Sequence, residues 1–152
     1  MASFVYTPAK QLLAKGDLDL DFAGAPQMWI ALVMTNTTAD TEQDTAKAGS
    51  LGTLDEYDGA NYVRKKVTAA GGGTVTEDDP NNRSEYSGDA SITFTALGVG
   101  VRQCQAIVLY VDADNDGDPA DDALNDLVAF IDTGGFPFDG NGGDVTVTWN
   151  AQ

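Results

Sequence analysis

Histidine is absent from this 152-residue sequence, and cysteine occurs once, at Cys104. Without histidine, the Ser-His-Asp and Cys-His mechanisms, histidine general bases and histidine metal sites are excluded. A single cysteine excludes an internal disulfide, and its place in a predicted central strand favours a buried, inert thiol. Catalysis would then fall to carboxylates, but none of the acidic stretches forms a recognisable catalytic motif. The sequence therefore predicts a protein that is not an enzyme.

Basic residues are also scarce. Eight Lys and Arg stand against 24 Asp and Glu, which gives a formal net charge of −16. Such a chain repels polyanions, and nucleic-acid binding needs a basic footprint that is missing here. An anionic membrane surface is disfavoured for the same reason. We therefore expect neither a nucleic acid nor a membrane as the partner.

Long apolar runs are missing as well. No run approaches the ~20 residues that a membrane helix needs. The N-terminal "MASFVYTPAKQLLAKG" has no apolar stretch of signal-peptide length after a basic start. We therefore expect the protein to be made, and to fold, in a cytoplasm.

Most of the elements that the sequence predicts are short strands. The one helix signal lies at residues 7–16, where Thr7 suits the cap, Pro8 the first helical position and Gly16 the stop. After it, apolar residues on both faces of 27–35 indicate a central strand. The predicted strands are 27–35, 61–67, 83–88, 91–96, 102–111, 127–131 and 144–150, with 28–34, 104–111 and 127–131 central.

These strands, separated by turns such as "GGG" (71–73) and "DDPNN" (78–82), predict an all-β fold. We expect residues 1–152 to form a single antiparallel β-sandwich or jelly-roll-like domain with one short N-terminal helix. The long polar stretch 36–60 lacks periodicity, and stretches of this length are often functional. The predicted core contains Trp29, Ile30, Leu32, Ile107, Leu109, Phe130 and Val147.

The acidic stretch "YVDADNDGDPADD" (110–122) resembles the first half of a calcium-binding loop. The alternating candidate ligands are Asp112, Asp114, Asp116 and Asp118, and Gly117 stands where such a loop turns sharply. The twelfth position is Ala123, so the closing bidentate ligand is missing, and strands rather than helices flank the stretch. We expect no cofactor, with structural calcium at these aspartates as the alternative to a plain acidic turn.

Two further groups are candidates for binding a partner. The basic cluster Arg64, Lys65 and Lys66 suits an acidic partner, and it also suits a strand that hides Val63 and Val67 while exposing its basic side chains. In "GGFPFDGNGGD" (134–144), Phe136 and Phe138 flank Pro137 and suit an anchor that docks on another surface. They suit equally well a loop tucked under the domain's own end.

Several stretches together resemble a widespread family of small structural proteins of tailed bacteriophages. The similarity covers nearly the whole chain. The stretches that carry it are "GDLDLD", "WIALVMTNTTAD", "LDEYDGANYVRKKV", "NNRSEYSGDASITFTALGVGVRQCQAIVLYVD" and "LVAFIDTGGFPFDGNGGDVTVTWNA". Family members often continue a few residues past the "WNA" segment, so we expect any role of such a tail to be missing from a chain that stops at Gln152.

The resemblance implies a virion component with a compact β-fold and no enzymatic activity. Its leading implication is a head decoration, or capsid cement, protein on the capsid exterior, with the major capsid protein as partner and a homo-oligomeric arrangement on the lattice. A tail or baseplate component fits the same resemblance. A carbohydrate-binding module for host attachment is the third alternative, because several aromatic residues could line a sugar-binding cleft: Trp29, Tyr57, Tyr62, Phe136, Phe138 and Trp149.

Overall fold

The computed structural model describes residues 3–18, 27–67, 74–81, 83–87, 91–112 and 121–148. In these ranges the protein is mostly β, with antiparallel sheets that are not closed and one short α-helix. The helix α1 is Thr7–Lys15, and 3-10 turns lie at Ala48–Ser50 and Asp79–Asn81. The strands are β1 (Phe4–Val5), β2 (Gln27–Met34), β3 (Lys65–Lys66), β4 (Thr74–Asp78), β5 (Arg83–Ser87), β6 (Ser91–Leu97), β7 (Cys104–Asp112), β8 (Asp126–Ile131) and β9 (Gly143–Thr148).

Helix α1 ends as predicted but begins differently. Gly16 closes it in the left-handed conformation with φ of 76°, which glycine adopts without strain. The prediction that Thr7 caps the helix is wrong, because Tyr6 holds the N-cap position and makes no side-chain cap. Tertiary contacts replace the cap: Thr7 N–H donates to Gln43 O at 2.9 Å, and the buried Tyr6 hydroxyl donates to Ala39 O at 2.8 Å. No helix in the described ranges is long and apolar enough to cross a membrane.

The largest sheet has five antiparallel strands in the order β1-β8-β7-β2-β3. In β7 every residue except Gln105 is buried, because strands on both sides and side chains on both faces cover it. β2 lies next to it, with Ile30 opposite Leu109 and Leu32 opposite Ile107. The predicted central strands are therefore confirmed.

The predicted core is confirmed in five of seven positions, since Ile30, Leu32, Ile107, Leu109 and Phe130 are buried. The other two are only partly buried. Trp29 lies opposite Lys66 of the two-residue strand β3, which is too short to cover an indole. Val147 belongs to β9, which pairs only with β6 in the described part of the chain.

Two smaller antiparallel pairs complete the described structure. β4 pairs with β5, and β6 pairs with β9. Strand β4 was not predicted, because Val75 is its one apolar residue and gives no alternating pattern. The predicted strand 61–67 shortens to β3, since Asn61 has a positive φ of 65° that interrupts extended backbone. Residues 149 and 150 of the last predicted strand, including Trp149, lie outside the described residues.

The polar stretch 36–60 is held to the large sheet by backbone hydrogen bonds. Met34 N–H donates to Asp55 O at 2.8 Å, and Tyr57 N–H donates to Leu32 O at 2.9 Å. At the other side of the sheet, Leu127 N–H donates to Ala46 O at 2.9 Å. The stretch thus has few regular elements of its own and takes its order from the strands that it borders.

Candidate interaction site

Arg64 lies inside the protein rather than on its surface. Its guanidinium donates to Glu56 at 2.7 and 2.8 Å and to Asp122 at 2.6 and 3.1 Å. Its carbon Cζ stands 5.4 Å from the centre of the Tyr110 ring, a cation–π arrangement. Only 8% of the side chain is exposed. Burial alone would lower the pKa of Arg64, but the hydrogen bonds that it donates to Glu56 and Asp122 outweigh this effect and raise the pKa.

The surroundings of Arg64 correct one interpretation of the basic cluster. The expectation that this strand hides Val63 and exposes its basic side chains is wrong for Val63, which is 58% exposed, and for Arg64. Arg64 turns inward to its two carboxylate partners, whereas Val63 beside it is exposed to solvent. Val67 is buried as expected. Lys65 and Lys66 are half-buried, and binding of a partner by the cluster stays a prediction that rests on these two lysines.

The acidic stretch is described only at its two ends. Asp112 ends β7 and is fully buried, whereas Asp114, Asp116 and Asp118 lie outside the described residues. Asp122, at the other end, is bound by Arg64. Within the described ranges no group of three or more His, Cys, Asp or Glu side chains is placed to hold a metal ion. Calcium at the four aspartates therefore stays the alternative to a plain acidic turn, to be tested by calorimetric titration of calcium.

Cys104 is buried and unpaired with another cysteine, as predicted. Burial raises the pKa of its thiol to about 12, because an apolar environment disfavours the thiolate. At neutral pH the sulfur is therefore a protonated thiol, which is a poor nucleophile. The side chain contributes to packing at the start of β7.

The Tyr57 hydroxyl joins three segments of the chain. It donates to Gly98 O at 2.8 Å and accepts from Gly100 N–H at 2.9 Å and Gly140 N–H at 3.0 Å. A phenolic oxygen can make one donor and two acceptor contacts, so its capacity is used completely. We call the three segments, residues 57–60, 98–103 and 134–142, the loop end.

Glycine is required where the loop end is tightest. A Cβ atom on Gly59 or Gly140 would overlap the carbonyl oxygen of Gly98. The close approach of these backbones is what allows one hydroxyl to reach all three segments. Side chains at these positions would push the segments apart and separate the backbone groups from Tyr57.

Backbone and side-chain contacts extend the same connection along both loops. Gly142 N–H donates to Leu97 O at 2.8 Å, and Cys104 and Phe138 exchange backbone hydrogen bonds of 2.8 and 3.0 Å. Gln103 Nε2 donates to Asp139 Oδ2 at 3.0 Å. Segments 98–103 and 134–142 therefore lie side by side and form one surface.

Ala96 borders the loop end in an unusual conformation. Its φ of 50° lies in the left-handed region that disfavours residues with a Cβ. Its N–H donates to Asp144 Oδ1 at 2.9 Å, and its carbonyl accepts from Asn61 Nδ2 at 3.0 Å. Side chains on both sides thus fix the backbone where β6 leads into the loop end.

The phenylalanine loop both packs inward and borders a cleft. Phe138 lies 6.5 Å from the Tyr57 ring and 5.5 Å from the Phe136 ring, measured between centroids. Both phenylalanines are half-buried, while Pro137 between them is exposed. They line an open cleft of about 350 Å³ together with Asp139, Asn141, Asp144 and Val145. The two interpretations of this loop are therefore compatible, since each ring is partly packed against the protein and partly exposed at the cleft.

Val99 and Val101 were missed as candidates. They are 70% and 71% exposed and lie in the loop end beside Gly98 and Gly100. The sequence signal was the alternation "GVGV", in which glycines separate two aliphatic residues just after a strand. Nothing in the sequence alone indicated that Tyr57, more than 40 residues earlier, would fix this loop.

Comparison with known proteins gives no further guide to the site. No protein-family model matches the sequence, and neither the curated proteins nor the solved structures contain a significant match. The resemblance to phage structural proteins therefore stays a prediction. What the site can do has to be argued from its own residues.

Proposed function

We propose that this protein is a structural component of a tailed-phage virion: a capsid decoration, or cement, protein. In this role it binds the outer surface of the head and stabilises adjacent major capsid subunits. The observation that carries the proposal is the loop end, where segments fixed around one hydroxyl present aromatic and aliphatic side chains beside a cleft. A surface that is already ordered loses little conformational entropy on binding. Such a surface suits binding, and the proposal includes no catalysis.

The charge supports a position on the exterior of the head. A chain of net charge −16 is repelled by packaged DNA, whereas the outside of the shell imposes no such cost. The proposed location is thus the capsid exterior, after synthesis in the host cytoplasm, with no contact to nucleic acid or membrane.

The proposed mechanism is mass action. A partner that binds only the assembled shell stabilises that shell by its binding free energy. Phe136 and Phe138 would contribute apolar contacts, and Lys65 and Lys66 would pair with acidic side chains of the capsid. We expect several copies to assemble with closed symmetry around the axes of the lattice.

A β-sandwich is the finer form of the fold that we propose. Side chains of β6 and β9 join the same core as the five-stranded sheet: Ile92, Phe94 and Leu97 are buried in it, and Val145 and Val147 pack against it. Two sheets that share one core are the defining feature of a sandwich. An experimental structure of the whole chain would test this arrangement.

The decisive experiment is to locate the chain in an intact particle. Reconstruction of the virion should show density for it on the outer surface of the head, with hundreds of copies per particle by quantitative mass spectrometry. Particles assembled without the chain should release their DNA at lower temperature than complete particles, and adding purified protein should restore the difference.

Other outcomes would replace the proposal. Density confined to the tail, together with a handful of copies, would favour a tail or baseplate component. Absence of the chain from purified particles would refute a virion role altogether.

Carbohydrate binding is the second candidate, because the cleft combines the two features of a sugar site. Phe136 and Phe138 provide aromatic surface, and Asp139, Asn141 and Asp144 provide polar groups at the same opening. A glycan array and titration of the hits would test this candidate. Binding that is lost in Phe136→Ala would support it, whereas an array without hits and tight binding to empty capsids would refute it.

A further inference from the structure

Val99 and Val101 are the most exposed of the large aliphatic side chains in the described part of the chain, at 70% and 71%. Scattered single aliphatic residues on a surface need no explanation. These two differ because they stand two positions apart on one short loop. The valines of the neighbouring strand β7, Val108 and Val111, are both buried.

The backbone that carries the two valines is fixed at several points. Gly98 and Gly100 bind the Tyr57 hydroxyl on either side of Val99, and Val101 N–H donates to Asp58 Oδ1 at 2.9 Å. Gly98 N–H donates to Ala60 O at 2.8 Å. Because these bonds surround the valines, the loop presents them to solvent in one arrangement.

The neighbourhood of the valines is acidic. Asp58, Asp139 and Asp144 are exposed, and each accepts a hydrogen bond from this loop or from the residues that flank it. The one basic side chain in residues 95–105 is Arg102, and it is paired with Asp55. The two apolar side chains therefore stand within an acidic rim.

We infer that Val99 and Val101 are the apolar anchors of a protein–protein contact whose partner carries an apolar depression rimmed by Lys and Arg side chains. The inference rests on the proposed function, in which that partner is a major capsid subunit. Exposed apolar side chains rimmed by polar residues mark contact sites, and complementary charge guides the partner into place. A second copy of this chain is disfavoured as the partner, because two acidic rims would then face each other.

Photo-crosslinking in assembled particles tests the inference. A photoreactive amino acid is placed at position 99, 101 or 13 of the full chain, and crosslinked peptides are identified by mass spectrometry. Leu13 is the control, since it is also an exposed aliphatic residue, at 39%, but lies on α1, outside both the loop end and the basic cluster. We expect crosslinks from positions 99 and 101 to basic peptides of the major capsid protein, and none from position 13.

Affinity for particles that lack the chain supplies the second measurement. The double variant Val99→Ser, Val101→Ser should bind at least about tenfold more weakly than the wild type, because burial of even one valine side chain is worth a change of that size. Leu13→Ser should bind like the wild type. Circular dichroism and the melting temperature should be unchanged in both, because the side chains are exposed. Binding of the wild type should weaken as salt rises, since salt screens the charged rim.

The outcomes separate the inference from the proposed function. Crosslinks from 99 and 101 to a tail protein would leave the anchors correct and overturn the head location. Normal binding of the double variant, without crosslinks from positions 99 and 101, would refute the role of the two valines as anchors. The proposed function would then still stand. Crosslinks to another copy of this chain would overturn the stated partner, and absence of the chain from particles would overturn both proposals.

Discussion

The five-stranded sheet and the loop end are held together by different interactions. The sheet buries apolar side chains on both faces of β7 and β2, and apolar burial is not directional. The loop end depends on one hydroxyl with three hydrogen bonds and on glycines in close contact. The stability of the sheet should therefore fall when buried volume is lost. The stability of the loop end should fall when a single atom is added or removed.

The largest effect is expected from lost volume in the sheet. Phe130 is fully buried and stacks on Phe4 with centroids 5.5 Å apart. Phe130→Ala should lower the free energy of unfolding by about 3–5 kcal/mol, because it leaves a cavity. Urea unfolding would show a lower midpoint at an unchanged slope. Leu32→Met, which conserves volume, should cost under about 1.5 kcal/mol, and an equal loss in both variants would contradict the account of the sheet.

An added methyl group should be the next most harmful change, at the loop end. Gly140→Ala would overlap Gly98 O and should cost about 1–3 kcal/mol, as overpacking does. Gly134→Ala is the control for added bulk, because nothing lies within 4 Å of its Cβ position, although its φ of +82° adds backbone strain. In binding assays Gly140→Ala should also weaken attachment to particles, since it displaces the loop end. A variant as stable as the wild type would show that the segments are less closely fixed than the distances indicate.

Removing one oxygen atom compares two buried tyrosines directly. Tyr57→Phe leaves three backbone groups without their partner and should cost about 1–3 kcal/mol. Tyr6→Phe removes a single hydrogen bond, to Ala39 O, and should cost about 1 kcal/mol. Hydrogen exchange should accelerate at the amides of Gly100 and Gly140 in the first variant only. Equal exchange in both variants would argue against the central role of Tyr57.

The same two regions show what sequence can predict. The central strands follow from neighbouring residues, because apolar side chains on both faces of 27–35 and 102–111 require cover from both sides. The loop end does not follow, because Tyr57 binds Gly98 and Gly140, which are 41 and 83 positions away. Contacts at such separation leave no periodic pattern in the sequence.

Arg64 illustrates the same limit at the candidate site. A basic run in a strand predicts exposed side chains, and here the outcome depends on Glu56 and on Asp122, 58 positions away. Once the two carboxylates are near, the buried guanidinium is satisfied and Val63 turns outward. Phe136 and Phe138 were identified from their local glycine-rich loop, whereas Val99 and Val101 became candidates only when the fixed backbone was known.

The smallest effect concerns a polar contact in the 36–60 stretch, which resembles the loop end in its reliance on hydrogen bonds. Gly52 N–H donates to both carboxylate oxygens of Glu42, at 3.0 and 3.2 Å. This backbone bond, followed by a bond from Thr38, lowers the pKa of Glu42 below its usual value. A carboxyl group whose pKa is lower in the folded state stabilises the protein above its unfolded pKa of about 4.3. That contribution is lost as the pH falls through the folded pKa.

Glu42→Gln should therefore reduce stability slightly at pH 7, and the difference from the wild type should shrink as the pH falls below about 4. Asp44→Asn is the control, because it removes an equal charge from an exposed position two residues away. Urea unfolding at pH 7, 5, 4 and 3 would measure all three proteins. A Glu42→Gln difference that stays constant over this range would show that the carboxylate charge does not strengthen the contact with Gly52. The stretch would then be fixed by its neutral hydrogen bonds to the sheet, as the loop end is fixed by Tyr57.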